Sequence, residues 1–268
     1  MRRHIIVTAV SAAALLALGA CSGSSNTSGG SSASGDAAYT VTSGKLTICA
    51  DIPYPPFEIE DSSAPTGYSG FDIEIAGAIA DKLGLELVVN DVDFDALQSG
   101  TVLVAGQCDM GTSAITITEE RKANIDFADP YYDSLQSLLV KKDSGIKTLA
   151  DLAGKAIGTQ QGTTGLNYAE ENAPADATIQ QFPSDGELWP ALQAGLVDAI
   201  LQDLPVNVQH VKDDPSYEVV EQYQTDEQYG FAFAKGEHVQ LREDVNTQLA
   251  ALKADGTYQT IYDKYFAA

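Results

Sequence analysis

The chain has 268 residues, of which 15 are basic and 38 acidic, and its formal net charge is −23. A surface this acidic repels nucleic acid and anionic lipid headgroups, so the composition excludes a nucleic-acid-binding role. About 225 residues follow the N-terminal segments described next, which is more than one hydrophobic core usually holds and therefore predicts two lobes.

The N-terminus has the features of an export signal. Arg2 and Arg3 precede an apolar run, residues 5–20, that is too short to span a bilayer comfortably as a mature helix. The run ends in Leu18-Gly-Ala-Cys21, which is typical of a lipobox, where the cysteine receives lipid and becomes the new N-terminus. We predict a lipoprotein signal peptide over residues 1–20 and lipidation of Cys21, with palmitate among the attached chains. The alternative is an ordinary signal peptide in which Cys21 is incidental.

A linker follows the predicted lipidation site. Residues 21–39 are rich in Ser, Gly, Ala and Thr and contain a single charge, Asp36. Such a segment cannot bury enough apolar surface to fold, so we predict a flexible linker. The lipid would then be the only contact with the membrane, and it would hold the folded part on the outer face of the cell membrane.

Strands and helices alternate in the first half of the remaining chain. Residues 45–51 predict a buried strand of the parallel-sheet kind. Asp72 can cap a helix whose apolar residues recur at four-residue steps until Gly84 ends it. The further predicted elements are a strand over 85–90, a helix over 94–103 that Gln98-Ser-Gly-Thr101 interrupts, and a strand over 109–117. This alternation predicts an α/β fold with a largely parallel sheet.

The second half repeats this plan. We predict a strand over 138–141, a short helix over 149–154, a strand over 156–159, a Gly-rich turn that opens a helix over 162–167, strands over 178–182, 199–202, 217–222 and 229–235, and a helical tail over 245–265 broken at Asp255-Gly-Thr257. Ala105-Gly-Gln-Cys-Asp109 matches Ala194-Gly-Leu-Val-Asp198, each a helix end that leads into a strand. Ser113 and Asp203 therefore end equivalent strands, at the carboxyl edge where open α/β sheets bind ligands.

The segment Ser113–Arg121 combines several groups that suit an anion. Thr118 is a good helix N-cap, and Glu119 and Glu120 occupy the first turn, where the helix dipole favours anions. Arg121 opposes that preference. Spare backbone N–H groups, hydroxyls and a guanidinium would therefore converge on one place, as a carboxylate ligand requires. The alternative is a surface arginine paired with Glu119 or Glu120.

Three motifs, in their order along the chain, resemble those of a known family. They are Asp51-Ile-Pro-Tyr-Pro-Pro-Phe-Glu58 with Gly70-Phe-Asp-Ile-Glu74, then Ser113–Arg121 continuing into Ile125-Asp-Phe-Ala-Asp-Pro-Tyr-Tyr132, then Leu201-Gln-Asp-Leu204. From about Lys45 to Phe266 the chain resembles the extracellular solute-binding proteins of family 3, the amino-acid receptors of ABC importers. The resemblance implies a two-lobed periplasmic-binding-protein type II fold, with two α/β lobes joined by a two-strand hinge. Lobe 1 would comprise residues 40–134 and 228–268, and lobe 2 residues 135–227.

The resemblance also implies which residues would bind the ligand's carboxylate. Arg121 matches the family's carboxylate clamp, where a planar fork gives two parallel hydrogen bonds. Thr116 and Thr164, from facing lobes, would complete the shell of donors. The local alternative is that Thr163 and Thr164 only cap the helix that follows Gly162.

By the same resemblance, Asp203 would accept the ligand's ammonium. The Ser113 hydroxyl and the Ala114 carbonyl would assist it. The alternative is that Asp203 is a helix N-cap before Leu204-Pro205, a position that a proline at the start of the helix supports.

Three further residues match family positions that contact the ligand's side chain. Tyr54 and Phe94 would sandwich it, and Asp51 would contact a polar or cationic group. As alternatives, Phe94 is a core residue and Asp51 only caps the Pro53-Tyr54 turn. Trp189, at a predicted helix start, is expected in the core.

The cysteines and histidines give little sign of a metal. Cys49 and Cys108 remain after lipidation, and an even pair in an exported protein favours a disulfide. In the family fold their strands are neighbours, so a bridge is possible. His4, His210 and His238 share no ligand spacing with these cysteines, and His210 lies in a loop-like acidic stretch. We therefore expect no metal and no cofactor.

The resemblance as a whole implies a lipid-anchored, monomeric substrate-binding protein. It would capture a free amino acid, cationic or polar by preference, and deliver it to ABC transporter permease subunits without catalysing a reaction. Two alternatives stay open. One is an exported enzyme that resembles the cyclohexadienyl/arogenate dehydratases on the same fold, and the other is a ligand sensor that reports to a membrane kinase.

Overall fold

Two five-stranded sheets organise residues 39–267, the part of the chain that this computed structural model describes. The strands are β1 Lys45–Ala50, β2 Ile59–Glu60, β3 Tyr68–Ser69, β4 Glu86–Asp91, β5 Met110–Gly111, β6 Ile125–Phe127, β7 Tyr132–Lys141, β8 Ala156–Gln160, β9 Thr178–Phe182, β10 Ala199–Asp203, β11 Tyr217–Tyr229 and β12 Ala232–Ala234. The helices are α1 Phe71–Leu83, α2 Phe94–Gln98, α3 Thr101–Val104, α4 Glu119–Lys122, α5 Thr164–Asn172, α6 Asp185–Gln193, α7 Leu204–Asp213, α8 Val239–Asp255 and α9 Thr257–Phe266, with 3-10 helices at Lys142–Ser144 and Leu149–Leu152.

The predicted N-terminal segments fall almost entirely outside this range. The signal peptide over residues 1–20, the lipidation site Cys21 and all of the linker except Tyr39 are not among the described residues. None of the helices between residues 39 and 267 combines the length and the apolar content that crossing a bilayer requires.

The first sheet has the order β4-β1-β5-β12-β6, and its first three strands in this order are parallel. β1 runs parallel to β4 and β5, whereas β12 runs antiparallel to β5 and β6. Ile48 and Cys49 of β1 point to opposite faces of the sheet and both are fully buried, as expected for a strand covered on both faces. α1 places Ile75 and Ile79 in the same core cluster. We call the part of the chain built on this sheet the first lobe.

The second sheet has the order β11-β7-β10-β8-β9. β8 runs parallel to β9 and β10, and β7 runs antiparallel to β10 and β11. Leu138 and Leu201 from neighbouring strands are buried in one of its core clusters. We call the part of the chain built on this sheet the second lobe. In both sheets the parallel strands direct their carboxyl ends to one edge, and this edge positions the site described below.

The chain crosses between the sheets beside a long strand pair. β7 and β11 are paired from Tyr132 and Tyr229 at one end to Lys141 and Tyr217 at the other. β6 precedes β7 and β12 follows β11, and both belong to the first sheet. The lobe boundaries predicted at 134/135 and 227/228 fall inside these two strands. They remain a prediction.

Four predicted strands are wrong in extent. Those predicted over 138–141 and 217–222 are too short, because β7 begins at Tyr132 and β11 continues to Tyr229. The other two are too long. The strand predicted over 109–117 is reduced to β5, because the chain leaves the extended conformation at Ala114, whose φ is 46°. The strand predicted over 229–235 is divided between the end of β11 and β12. Gly230 lies at the division, where a Cβ would meet Ile117 Cδ1 at 2.8 Å.

The predicted cap of the first helix is also wrong, although its end is confirmed. Gly70, not Asp72, precedes α1, and Gly84 ends the helix in the left-handed conformation with φ 69°. Asp72 is fully buried instead. Its Oδ2 accepts hydrogen bonds from Thr112 Oγ1 at 3.1 Å, from the Ala114 N–H at 2.9 Å and from the Tyr131 hydroxyl at 2.6 Å.

A disulfide joins Cys49 of β1 to Cys108, which lies just before β5. The two Cα atoms are 5.7 Å apart, because β1 and β5 are neighbours in the first sheet. The bridge spans a sequence separation of 59 residues. In the chain-entropy account, closing a loop of this size constrains the unfolded chain by about 4 kcal/mol.

Candidate functional site

A cavity lies between the two lobes, at the carboxyl edges of both sheets. The residues that line it are Asp51, Tyr54, Phe94, Ser113, Ala114, Thr116, Arg121, Gln160, Thr163, Thr164 and Asp203. The structure therefore brings together all nine residues that the resemblance implied, and it adds Gln160 and Thr163. The free volume is only about 10 Å³, close to the space that one water molecule needs. The lobes are consequently closed on each other around the lining side chains.

The Arg121 guanidinium extends into this cavity from the start of α4. Thr118 caps the helix, as predicted, by accepting a hydrogen bond from the Arg121 N–H. The guanidinium donates through Nη1 to the Thr116 carbonyl at 2.8 Å and through Nη2 to the Gly162 carbonyl at 2.9 Å. Its Cζ lies 5.3 Å from the centre of the Phe94 ring, within cation–π range.

This environment excludes the alternative of a surface arginine. Arg121 is 6% exposed, and Lys122 forms the ion pair with Glu119 instead. Burial lowers the pKa of Arg121, while the charges of Asp203 and Glu227 oppose that change. An arginine side chain nevertheless keeps its proton in proteins. A buried positive charge therefore faces the cavity.

Asp203 lies where β10 meets α7, and its side chain faces the cavity. It does not cap α7 through a hydrogen bond. Its Oδ2 accepts from the Tyr54 hydroxyl at 2.7 Å, and its Oδ1 accepts from Gln136 Nε2 at 2.6 Å. Burial, reinforced by the charge of Glu227, raises the pKa of Asp203 to about 7.

Asp51 follows β1 and contacts the opposite lobe. Its Oδ2 accepts from Gln160 Nε2 at 2.6 Å, so the carboxylate binds across the cavity and does not only cap the turn that follows it. Its N–H donates to Ser113 Oγ at 3.1 Å. Burial raises the pKa of Asp51 to about 7, although the hydrogen bond from Gln160 acts in the opposite direction.

Thr163 and Thr164, at the start of α5, differ in what they bind. Thr163 caps the helix by accepting from the Leu166 N–H at 3.1 Å, and it also lines the cavity. The Thr164 hydroxyl donates to Glu227 Oε2 at 3.1 Å, and the Thr116 hydroxyl donates to the same oxygen at 3.1 Å. Glu227 was not identified from the sequence, because a glutamate on a polar strand gives no local signal of such contacts.

Ala114, which lines the cavity in a left-handed conformation, is bonded through its backbone to a buried carboxylate on the side away from the cavity. The Ala114 N–H is bound by the buried Asp72 carboxylate, and Glu58 lies fully buried beside Asp72. Burial raises the pKa of Glu58 well above its usual range, and the charge of Asp72 adds to the effect. Two buried carboxyl groups therefore lie behind Ala114, and the raised pKa of Glu58 follows from this burial and from the neighbouring charge.

The two aromatic residues of the site are buried. Tyr54 is 7% exposed and Phe94 6% exposed, and each lines the cavity while packing in a core cluster. For Phe94, a position in the core and a position at the cavity are therefore both observed.

His210 and Trp189 lie together, away from the cavity lining. The prediction of a loop around His210 is wrong, because His210 lies in α7, buried, with its Nε2 3.0 Å from Asp185 Oδ1. Trp189 stacks on the imidazole at 4.3 Å between ring centres, inside α6 and not at its start. Trp189 thus packs in the core, as expected. Between residues 39 and 267 no group of three or more His, Cys, Asp or Glu side chains could hold a metal ion.

The raised pKa of Asp203 leads to a prediction about the ligand-free protein. The folded state holds a proton that the unfolded chain releases near pH 4, so the free energy of unfolding falls as the pH rises from about 4 to about 7. Asp51 contributes a dependence of the same sign, so Asp203→Asn should remove only the part that Asp203 contributes. A tenfold change in proton affinity corresponds to about 1.4 kcal/mol, so the variant should gain at least that much relative to wild type between about pH 5 and about pH 8.

Denaturant unfolding at about pH 5 and about pH 8 measures the free energy of unfolding of both proteins. Asp176→Asn, at an exposed position, is the matched control. Equal pH slopes for wild type and Asp203→Asn would contradict the prediction.

Comparisons with known proteins agree with this arrangement. A profile of the bacterial extracellular solute-binding proteins, family 3, matches residues 46–268. The Escherichia coli (strain K12) protein named ABC transporter arginine-binding protein 1 is 34% identical over 226 residues, covering 83% of this chain and 90% of that protein.

Two solved structures are similar over most of the chain. An ancestral arginine-binding protein bound to glutamine is 36% identical with a TM-score of 0.78, covering 85% of this chain and 100% of that one. The ancestral amino acid-binding protein AncCDT-1, described as a precursor of cyclohexadienyl dehydratase, is 36% identical with a TM-score of 0.76, covering 83% of this chain and 96% of that one.

Proposed function

Since the chain belongs to the bacterial extracellular solute-binding proteins of family 3, we propose that it binds a free amino acid between its two lobes and delivers it to the permease of an ABC importer. The family and the two-lobed type II periplasmic-binding fold are confirmed as the sequence predicted them. The observation that carries the proposal is the convergence of one guanidinium and two carboxylates on a cavity between the lobes. A zwitterion requires groups of both charges in one cavity.

In this proposal the Arg121 fork binds the α-carboxylate. Only two of its five N–H groups reach backbone carbonyls at 2.9 Å or less, and those carbonyls belong to different lobes. A carboxylate presents two oxygens in the plane that a guanidinium matches, so it would exchange with one or both carbonyls. Thr116 and Thr164 also line the cavity, from different lobes.

The α-ammonium would bind Asp203. The carboxylate already accepts from Tyr54 and Gln136, which are neutral donors. An ammonium would replace a neutral contact with a charge-assisted one, and such hydrogen bonds are roughly twice as strong. It would also supply the positive charge that buried Asp203 lacks, and so lower its pKa from about 7.

The side chain of the ligand would extend toward Asp51 between Tyr54 and Phe94. Among the described residues that line the cavity, Arg121 alone is cationic, and the α-carboxylate would engage it. A glutamate or aspartate side chain would then face Asp51 without a counter-charge, which is costly in a buried site. A guanidinium or ammonium could replace the Gln160 amide at Asp51. We therefore rank arginine, lysine and ornithine first, glutamine and similar polar amino acids second, and acidic amino acids last.

Entry of any amino acid requires the lobes to separate. A free volume of about 10 Å³ is far too small for one, and contacts such as Asp51–Gln160 and Tyr54–Asp203 span the cavity. We propose opening about β7 and β11, with lobe 1 comprising residues 40–134 and 228–268 and lobe 2 residues 135–227. The bound ligand would bridge the lobes and stabilise the closed form that the permease recognises.

Replacing Arg121 tests the carboxylate assignment. Arg121→Ala should weaken amino-acid binding by at least about 100-fold, because leaving a buried charge without its partner costs about 3–5 kcal/mol. Calorimetry with arginine and with glutamine measures the loss. Arg242→Ala, which removes a partly exposed arginine paired with Asp126, is the control and should bind as wild type does. An Arg121→Ala protein that stays folded and binds within a few-fold of wild type would refute the assignment.

A ligand screen and the replacement of Asp51 together test the ligand ranking. A thermal-shift screen across the amino acids and ornithine should give the largest shifts with cationic ligands, since a ligand at 100 times its dissociation constant stabilises by about 2.7 kcal/mol. Asp51→Asn should weaken arginine binding by about tenfold or more and glutamine binding by much less, because only arginine loses a charged partner. Equal losses for the two ligands, or a dominant shift with glutamate, would overturn the ranking.

An enzymatic function is the second candidate, because burial raises the pKa of Asp51 and of Asp203 to about 7 and such carboxyl groups can act as general acids. A structural neighbour is also described as a precursor of cyclohexadienyl dehydratase. Prephenate and arogenate therefore belong in the ligand screen, followed by product analysis. Formation of an aromatic product that Asp51→Asn or Asp203→Asn abolishes would favour the enzyme over the receptor.

We further propose that the protein is extracytoplasmic and anchored through lipid on Cys21, as the Leu18-Gly-Ala-Cys21 motif predicts. Cys21→Ser should release the protein from the membrane fraction, because the thiol that receives the lipid is absent. Fractionation and mass spectrometry of the N-terminal peptide measure both effects, with Ser22→Ala as the control. A Cys21→Ser protein that stays in the membrane fraction would show that another element anchors it.

A further inference from the structure

One oxygen of Glu227 connects the two lobes behind the cavity. Glu227 Oε2 accepts from the Thr116 hydroxyl of the first lobe at 3.1 Å and from the Thr164 hydroxyl of the second lobe at 3.1 Å. It also accepts from Gln136 Nε2 of β7 at 3.0 Å. Glu227 itself does not line the cavity, although both threonines do. Its carboxylate is therefore a cross-lobe contact outside the cavity lining, made through two threonines that are also proposed to contact the ligand.

The position of Glu227 ties this contact to the hinge. Glu227 lies on β11 opposite Ser134 of β7, next to an irregularity in the register between Tyr223 and Glu227. It is 9% exposed. When the lobes separate about these strands, Thr116 and Thr164 move with different lobes, so one oxygen cannot remain bonded to both. We therefore expect the double contact in the closed form only.

The charge of Glu227 links the same contact to the ligand. Gln136 Nε2 donates to Glu227 Oε2 and to Asp203 Oδ1, so one amide group separates two carboxylates. The charge of Glu227 contributes to the raised pKa of Asp203. Arg121 is the cation that faces both carboxylates from the first lobe, and Tyr54 and Tyr229 face Asp203 with neutral hydroxyls. An ammonium at Asp203 would offset the repulsion between these anions.

We propose that Glu227 is a positioning residue that holds the lobes closed by binding Thr116 and Thr164 together, at a cost in repulsion with Asp203 that the ligand's ammonium offsets. This inference rests on the proposed function for its last step only. The contact of Glu227 with Thr116 and Thr164, which we call the latch, is a property of the closed protein and can be tested without a ligand.

The first measurement is the distance between the lobes in the ligand-free protein. Val104 and Leu196 are each 64% exposed, on the first and second lobe, and Val104→Cys with Leu196→Cys, in a Cys21→Ser background, accept spin labels. Adding Glu227→Ala should shift the distance distribution toward open forms, whereas Glu218→Ala, on the same strand but in a surface ion pair with Lys147, should leave it unchanged. Identical distributions for Glu227→Ala and the parent would overturn the latch, whether or not any amino acid binds.

The second measurement is the rate of ligand dissociation. Arginine should dissociate at least about tenfold faster from Glu227→Ala, at a little-changed association rate, because the lost charge-assisted hydrogen bonds act after closure. Glu227→Gln keeps one acceptor oxygen and should lie between wild type and Glu227→Ala. Loss of fold alone would lower the active fraction without changing the dissociation rate.

A double-mutant cycle identifies the partner of the Thr164 hydroxyl. Thr164→Val should speed dissociation in the wild-type background and have little further effect in Glu227→Ala, because the hydroxyl acts through Glu227. Additive effects would mean that the Thr164 hydroxyl acts on the ligand directly, and they would overturn the latch. If the wild type binds no amino acid while the spin-label distances respond as expected, the proposed function fails and the latch stands.

Discussion

The structure depends on an imbalance of buried charge between the lobes. Asp51 and Asp203 are each less than 10% exposed, and Arg121 is the cation that faces them among the described residues of the cavity. Water cannot solvate these carboxylates, and neutral amides and hydroxyls only partly replace it, so both pKa values rise to about 7. The closed form therefore carries an electrostatic cost that a positively charged group in the cavity relieves. In the proposed receptor, closure and ligand charge would be coupled through this cost.

The charged residues of the cavity lie at or just after the ends of strands and at the start of a helix. Asp51 follows β1, and Asp203 ends β10. Arg121 lies in the first turn of α4, which Thr118 caps. In the cavity wall between them, buried Asp72 accepts a hydrogen bond from the N–H of Ala114, whose φ is 46°. Positions at strand ends are set by the hydrogen-bonded register of the sheets, so in the proposed opening the charges would move with their own lobe.

The sequence predicted what depends on local pattern. Apolar runs placed β1, β9 and β10 to within a residue or two, Gly84 ended α1 as expected, and the resemblance brought nine residues to one cavity. Contacts between residues distant in the chain were not predictable. Gln160 bonds to Asp51 across 109 positions and Thr116 to Glu227 across 111, and neither pair has a local signature.

The wrong predictions have the same origin. Asp72 has the sequence position of a helix cap, but its carboxylate binds Thr112, Ala114 and Tyr131, which only the folded sheet brings near. His210 lies in a polar stretch, yet its α-helix is stabilised by burial against Trp189 and Asp185. In both cases tertiary contacts decided a residue's role against its local sequence.

Binding in such a cavity is an exchange of hydrogen bonds more than an addition of them. Asp203 accepts from Tyr54 and Asp51 from Gln160 when the lobes are closed, so a ligand gains only the difference between its own donors and these. A neutral donor that replaces a neutral amide gains little, whereas a cationic donor gains the charge-assisted part of the bond. Selectivity for positive charge would then come from the hydrogen bonds between the protein's own side chains. A ligand binds only if its hydrogen bonds to the carboxylates are stronger than those that it replaces.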